Sequence, residues 1–162
     1  MELIIRKASA HDTSQILSYI RELAEFEKLS HEVTATEEIL KKSLFSEGSN
    51  ARVFIAEENQ KPVGFALTFF NFSTFLGRKG LYLEDLYISP KHRGKSYGTK
   101  LLRFLAQFAK EEGCGRFEWS VLDWNQKAID LYTKLGAKPM SEWTMYRMDE
   151  ETLEKFAQSS RE

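Results

Sequence analysis

The sequence has one cysteine, no long apolar run and almost no net charge, and each of these features excludes a class of protein. Cys114 alone cannot form an internal disulfide or a Cys-x-x-Cys zinc cluster. The 23 Lys and Arg residues nearly balance the 24 Asp and Glu residues, so a net charge of -1 gives no general reason to expect nucleic acid as a partner. The opening MELIIRKASAHD holds too few consecutive apolar residues for a signal peptide or a membrane span. We therefore expect a cytoplasmic chain with no membrane or nucleic-acid partner.

The composition that remains is typical of a globular chain. Its 162 residues are 42% hydrophobic and 29% charged, which suits one compact domain with a substantial core. No internal repeat, low-complexity tract or linker interrupts the chain. We therefore expect residues 1–162 to form a single domain.

Two kinds of apolar pattern predict an α+β fold. Short runs rich in β-branched and aromatic residues predict strands in ELIIRKA, ARVFIAEE, KPVGFALTFFNF, GLYLEDLYISP, RFEWSVLDW and WTMYRMD. Apolar residues at helical spacing predict helices after Asp12, after Thr36, from about Tyr97 to near Gly113 and after Asn125, with a short helical tail at about 150–162. The N-cap candidates are Asp12 or Thr13 for the first helix, Thr36 for the second and Asn125 for the fourth. This order predicts a mixed sheet flanked by helices.

A basic loop, SPKHRGKSYG, joins a predicted strand to a predicted helix. Short side chains in such a loop let main-chain N–H groups converge on phosphate oxygens at the positive end of the helix. The spacing of Gly94 and Gly98 fits neither G-x-x-x-x-G-K-[ST] nor G-x-G-x-x-G. The pattern alone leaves two interpretations open, a phosphate site and a tight turn with an exposed basic edge.

Residues 93–98, read as R-G-K-S-Y-G, resemble the acetyl-CoA loop of the GNAT N-acetyltransferases, Arg/Gln-x-x-Gly-x-Gly/Ala, with Ser96 in place of the first glycine. The blocks IRELAEFEKLS, YLEDLYISPKHRG and VLDWNQKAIDLYTKLGA resemble the polyamine (spermidine/spermine) acetyltransferase group, especially its thialysine acetyltransferase branch. The resemblance implies a GNAT fold with a mixed, mostly antiparallel twisted sheet. It also implies acetyl-CoA as co-substrate, no metal and a homodimer. Ser96 is small enough to keep the site, and its hydroxyl can either cap the following helix or donate to a phosphate oxygen.

The resemblance implies particular site residues. Transfer to an amine requires a base for the ammonium proton and an acid for the departing thiolate; Glu84 is the expected base and Tyr132 the expected acid. Asp85 points to the opposite face if the strand is regular, which would give it a different role. Phe26 and Glu27, together with Glu84, are expected to line the amine site. The expected cofactor contacts are Leu86, Tyr87, Ile88, Arg93, Gly94, Lys95, Ser96, Tyr97, Gly98, Thr99, Asn125, Gln126, Lys127 and Ala128.

The substrate expected from this resemblance is a primary amine of a small molecule, either lysine-like (thialysine) or a polyamine. Ser73, Thr74 and Phe75 match the thialysine branch, and Arg78 and Lys79 suit a substrate that carries a carboxylate, although both can equally be solvated surface charges. Two alternatives remain: acetylation of a protein lysine or N-terminus, and a non-catalytic acyl-CoA sensor. Cys114 is expected to be structural because no histidine lies near it in sequence.

Overall fold

The structure is a computed structural model and describes residues 2–159. The strands are β1 (Leu3–Lys7), β2 (Ala51–Glu58), β3 (Lys61–Ser73), β4 (Arg78–Ile88) and β5 (Phe117–Trp119). The helices are α1 (Thr13–Phe26), α2 (Glu37–Phe45), α3 (Tyr97–Glu111), α4 (Gln126–Lys134) and α5 (Glu150–Gln158).

The strands form one sheet in the order β1-β2-β3-β4-β5. The first four strands pair antiparallel and β5 pairs parallel with β4. This confirms the predicted α+β fold with a mixed, mostly antiparallel sheet. The contacts within the chain divide it into two compact units, one up to Leu122 and one from Asp123 onwards. The single-domain organisation stays a prediction.

Helix α1 buries the apolar stripe that its sequence predicts. Ile16 and Tyr19 are fully or almost fully buried in a cluster with strand residues that include Phe65, and the rings of Tyr19 and Phe65 stack at 5.7 Å between centroids. Ile20 and Leu23 pack against the same cluster. Removal of this apolar area from water stabilises the packing of α1 against the sheet.

The helix caps follow the sequence in two cases and differ in one. The Thr36 hydroxyl accepts the Ile39 N–H at 3.2 Å, as predicted, and the Asn125 side chain accepts the Ala128 N–H at 3.3 Å. Asp12 precedes α1, but its side chain makes no cap hydrogen bond. The Asp12 carboxylate instead pairs with the guanidinium of Arg6, which donates to both Asp12 oxygens at 2.9 Å.

A two-residue turn joins β2 to β3. Asn59 and Gln60 have φ values of 50° and 63°, the left-handed pair that matches the twist of a tight hairpin. Lys61 therefore belongs to β3 and not to the turn, and it pairs directly with Glu58. The turn thus places the Glu58 backbone at the closed end of a rigid hairpin.

Strand β4 is irregular at Glu84. Leu67 of β3 pairs with Asp85 and Thr68 pairs with Leu83, so Glu84 is left without a partner on β3. Such an extra residue is a β-bulge, which bends the strand and redirects side chains near functional sites. The condition under which Asp85 was expected to point to the face opposite Glu84, a regular strand, is therefore not met.

Two sequence predictions near the C-terminal end need correction. The strand expected in RFEWSVLDW is limited to Phe117–Trp119, and the segment WTMYRMD (residues 143–149) forms no strand in the described chain. Aromatic and β-branched residues favour a pleated surface, but they do not supply the neighbouring strand that a ladder requires. The predicted helical tail is confirmed as Glu150–Gln158, and its last predicted residues, 160–162, lie outside the described residues.

Candidate functional site

The loop before α3 has the backbone conformation of an anion site. Gly94 has φ 79° and Ser96 has φ 61°, so a left-handed residue immediately precedes the first turn of the helix. This alternation makes successive N–H groups face one concavity. Within the described residues, the amides of residues 94–99 donate to no main-chain carbonyl. Six main-chain donors are therefore available at the positive end of a 15-residue helix.

The two glycines of this loop differ in why a side chain would be unfavourable there. Gly94 needs its positive φ, whereas a Cβ on Gly98 would come no nearer than 4.0 Å to Leu86 and would contact nothing else within that distance. Packing within the chain therefore does not require glycine at 98. A ligand that approaches the main chain closely does require it.

Ser96 does not cap α3 as expected, whereas the contact of Arg93 with the cofactor stays a prediction. Ser96 stands at the N-cap of α3 but makes no side-chain cap hydrogen bond, because its left-handed backbone is not the extended conformation in which a serine caps. Arg93 folds back: its Nε donates to the Ile88 carbonyl at 2.9 Å, and its guanidinium lies 5.3 Å from the ring centroids of both Phe26 and Tyr87. The Arg93 amide is also paired, at 3.4 Å with the Pro90 carbonyl.

One side of β4 is open beyond the bulge. Strand β5 pairs with β4 only along Leu81–Leu83, while Leu86–Ile88 pairs with β3 alone. The main chain of Leu86–Ile88 therefore has a side without a neighbouring strand in the unit up to Leu122. The Ile88 carbonyl on this segment already accepts the Arg93 Nε, and the rest of the edge can pair with an extended ligand in the manner of an added strand. This fits the predicted pantetheine contacts at Leu86, Tyr87 and Ile88.

A cluster of carboxylates lies next to the bulge. Burial, and to a smaller extent the charges of Glu84 and Glu27, raise the pKa of Asp85 to about 6. Burial also raises the pKa of Glu27, which follows the last residue of α1. Glu84 is exposed. The structure thus brings the predicted residues Glu27 and Glu84 into electrostatic contact with Asp85, a group that sequence reasoning assigned no definite role. The adjacent acids in LEDL indicated that Asp85 could take part in the site. The bulge at Glu84, which changes how the two side chains are arranged, is not visible in the sequence.

Aromatic side chains extend this acidic region. The Tyr87 hydroxyl lies 3.5 Å from a Glu22 oxygen, and the ring of Tyr87 packs on Tyr19. Phe26 is about half exposed and shares the Arg93 guanidinium with Tyr87. Carboxylates and aromatic faces together attract cations.

The second unit carries the remaining predicted residues on one helix. Asn125 caps α4, and Gln126, Lys127, Ala128 and Tyr132 lie on it. The Ala137 N–H donates to the Tyr132 carbonyl at 3.0 Å, and Gly136 ends the helix with φ 91°. Their contacts with a cofactor stay predictions.

Several other side chains have structural partners. Ser73 is buried and its hydroxyl accepts the Leu76 N–H at 3.2 Å, which closes the β3–β4 turn. Lys79 pairs with Glu112 at 3.0 Å, so this charge is satisfied within the protein and supports no substrate preference. Burial raises the pKa of the Cys114 thiol, which disfavours the reactive thiolate and agrees with a structural role.

Within residues 2–159, no three His, Cys, Asp or Glu side chains are grouped so that they could hold a metal ion. Over the same range, no helix has the length and apolar character needed to cross a membrane.

Comparison with known proteins places this site in context. The sequence model of the Acetyltransferase (GNAT) family matches residues 17–137. A thialysine N-epsilon-acetyltransferase of Mus musculus is 41% identical over 164 residues, which cover 94% of this chain and 96% of that protein. An L-ornithine N5-acetyltransferase of Arabidopsis thaliana is 29% identical over 195 residues, covering 93% of this chain and 86% of that protein. Among solved structures, an integron cassette protein of V. cholerae superposes with a TM-score of 0.81 and 29% identity, covering 98% of this chain and 99% of that one.

Proposed function

The chain belongs to the acetyltransferase (GNAT) family, and from this premise we propose that it acetylates the terminal amine of a small, lysine-like amino acid. Family membership confirms the resemblance found in the sequence and the predicted enzyme class, an acetyl-CoA-dependent N-acetyltransferase. The observation that carries the proposal is the position of the carboxylate cluster on the strand that leads into the loop of unpaired amides. A cationic amine would be attracted by the carboxylates, and an anionic cofactor would be attracted by the main-chain amides of the loop.

The residues present fit coenzyme A. The amides of residues 94–99 would hold the pyrophosphate, and the open side of Leu86–Ile88 would hold the pantetheine arm. Asn125, Gln126, Lys127 and Ala128 are proposed as further cofactor contacts from the resemblance. Acetyl-CoA supplies the activated acetyl thioester that the amine attacks.

The carboxylates next to the bulge would bind the ammonium group and take its proton. A lysine-like amine has a pKa near 10.4, so an ordinary aspartate, with a pKa of 3.8, is a poor acceptor. Burial and the charges of Glu84 and Glu27 raise the pKa of Asp85 to about 6, which makes it roughly a hundredfold better matched. We therefore assign the base to the coupled pair Glu84 and Asp85. Glu27 and Phe26 would hold the cation at the site.

The departing thiolate needs a proton, and Tyr132 is proposed as its donor. This role comes from its place in DLYTKLGA, which matches the family pattern. A main-chain N–H near Leu86 would polarise the acetyl carbonyl, as donors in an oxyanion hole do.

A lysine-like amino acid is favoured over a polyamine on two grounds. The relatives named above act, by their names, on thialysine and ornithine, which are amino acids with a terminal amine. The Arg93 guanidinium lies over Phe26 and Tyr87, so an amine site lined by Phe26 would have a cation of the protein at its edge, which suits a substrate that also carries a carboxylate better than it suits a polycation. A cytoplasmic location and a homodimer are proposed from the sequence and the resemblance.

An amine panel tests this function. Thiol release from acetyl-CoA is measured with thialysine, ornithine, spermidine and a lysine-containing peptide, each alone. We expect the highest kcat/KM with thialysine or ornithine and a loss of at least about 100-fold in the Asp85→Asn variant. Highest activity with the peptide would establish the protein acetyltransferase alternative. Binding of coenzyme A without turnover of any amine would establish the sensor alternative.

A further inference from the structure

Glu58, a buried glutamate outside the proposed amine site, forms hydrogen bonds with residues on both sides of Ser96 in the proposed cofactor loop. Glu58 ends β2 and is only 8% exposed, and none of the roles assigned above uses it. It accepts hydrogen bonds from the Lys95 ammonium at 3.0 Å and from the Tyr97 hydroxyl. The His92 Nε2 lies 3.6 Å from its second oxygen. One carboxylate on the sheet therefore contacts two residues of the segment that leads into α3 and the first residue of that helix.

The position of Glu58 makes it a fixed anchor. Its backbone pairs with Leu3 of β1 and with Lys61 of β3, directly beside the two-residue turn. Tyr97 is also fixed, because its side chain is 4% exposed and it begins α3. The Lys95 and Tyr97 contacts thus connect the loop to rigid secondary structure on both sides.

The two residues held by Glu58 flank the strained residue of the loop. Ser96 lies between them with φ 61°, a conformation that its Cβ disfavours by roughly 5- to 30-fold relative to the right-handed region. Neither a cap hydrogen bond of Ser96 nor a glycine at this position offsets that cost. A non-glycine residue persists in such a conformation only when its surroundings determine it, and the two flanking contacts with Glu58 provide that determination.

A carboxylate beside a phosphate site is otherwise unfavourable, because like charges repel. Here the Lys95 ammonium and the Tyr97 hydroxyl satisfy the Glu58 charge, and they lower the pKa of Glu58, the Tyr97 hydrogen bond most. The carboxylate is therefore ionised and fully engaged with the loop. A residue that served only to fill space at this position would not need a charge.

We propose that Glu58 is a positioning residue for acetyl-CoA: by holding Lys95 and Tyr97, it keeps Ser96 in the left-handed conformation that leaves the amides of residues 94–99 free for the pyrophosphate. This inference rests on the proposed function, since it assigns the loop to coenzyme A. It predicts that Glu58 and Ser96 are energetically coupled in cofactor binding, although their side chains have different roles.

The test measures coenzyme A binding by calorimetry and steady-state kinetics in a small set of variants. In Glu58→Ala we expect the Kd for coenzyme A and the KM for acetyl-CoA to rise about tenfold, with the KM for the amine unchanged within about twofold. Adding Ser96→Gly should restore most of the lost affinity, because glycine enters the left-handed region without cost. Adding Ser96→Ala is the matched control: it removes the same hydroxyl but keeps the Cβ, and it should restore nothing.

A second variant guards against a folding defect in Glu58→Ala. Tyr97→Phe keeps the buried ring and removes only the hydroxyl, so it should fold and still raise the Kd for coenzyme A by at least about threefold. Equal affinity of wild type, Tyr97→Phe and folded Glu58→Ala would overturn the proposal. Equal rescue by glycine and alanine at position 96, or rescue by neither, would also overturn it. If wild type itself binds no coenzyme A, the proposed function fails, and this inference with it.

Discussion

Replacement of Asp85 by asparagine should stabilise the protein and impair its activity at the same time. In the folded chain the pKa of Asp85 is raised from 3.8 to about 6 by burial and by the charges of Glu84 and Glu27. The folded state therefore binds its proton more tightly than the unfolded state does. Between about pH 4 and pH 6 the folded state carries more protons, so the free energy of unfolding falls as the pH rises through this range.

The size of the effect follows from the same shift. At 1.36 kcal/mol for each pKa unit, the ionised Asp85 side chain costs the folded state up to about 3 kcal/mol above pH 7. Asp85→Asn removes the ionisation and keeps the shape. We expect it to be more stable than wild type by about 1–3 kcal/mol at pH 8 and nearly equal to wild type at pH 4.

Urea denaturation at pH 4, 6 and 8 measures this difference directly, since the midpoint and slope give the free energy of unfolding. Asp123→Asn, at an exposed position, is the matched control and should show no pH-dependent gain. Glu84→Gln should show a smaller gain in the free energy of unfolding at pH 8, because it removes one of the charges that raise the pKa of Asp85. A stability difference between Asp85→Asn and wild type that is the same at all three pH values would refute the reasoning.

Three further predictions follow from other parts of the structure. Gly98→Ala should leave the free energy of unfolding unchanged or raise it by up to about 1 kcal/mol, yet raise the KM for acetyl-CoA at least about tenfold; an unchanged KM would mean that no ligand approaches this residue closely. Tyr132→Phe should lower kcat at least about tenfold while the calorimetric Kd for coenzyme A changes by less than about twofold, and equal loss of both would contradict its role as acid. Arg6→Lys should lower the free energy of unfolding by about 1 kcal/mol at pH 7, because lysine cannot reproduce the paired bonds to Asp12 and the bond to Glu57; since the arginine lowers the pKa of Asp12 below 3.8, this loss should shrink in denaturation curves taken below about pH 4.

Much of the fold was predictable because it depends on short-range physics. The stripe of Ile16, Ile20 and Leu23 appears at helical spacing, and one face of α1 is buried accordingly. Thr36 and Asn125 cap their helices with their own side chains. The loop before α3 was predictable in the same way, from small residues between a strand and a helix, while its proposed role in binding coenzyme A comes from the resemblance.

Other predictions failed because they depended on groups distant in sequence. Asp12 is a residue type that often caps helices, but its carboxylate accepts two hydrogen bonds from Arg6 instead. The segment WTMYRMD has suitable residues for a strand but no ladder within the described chain. Ser96 looked like a cap, yet its φ of 61° excludes that role.

Local patterns are enough to locate the proposed site: the loop at residues 94–99, the acids in LEDL and the helix that begins after Asn125 can each be recognised from a short stretch of sequence. The environment of these groups depends on the fold. The bulge at Glu84 depends on the register between β3 and β4. The raised pKa of Asp85 depends on burial and on the charge of Glu27 from another element. The hydrogen bond between Glu58 and Tyr97 joins residues that are 39 positions apart in the chain. Burial, charge and hydrogen bonding act between atoms that are close in space, and a single sequence does not specify which distant residues the fold brings together.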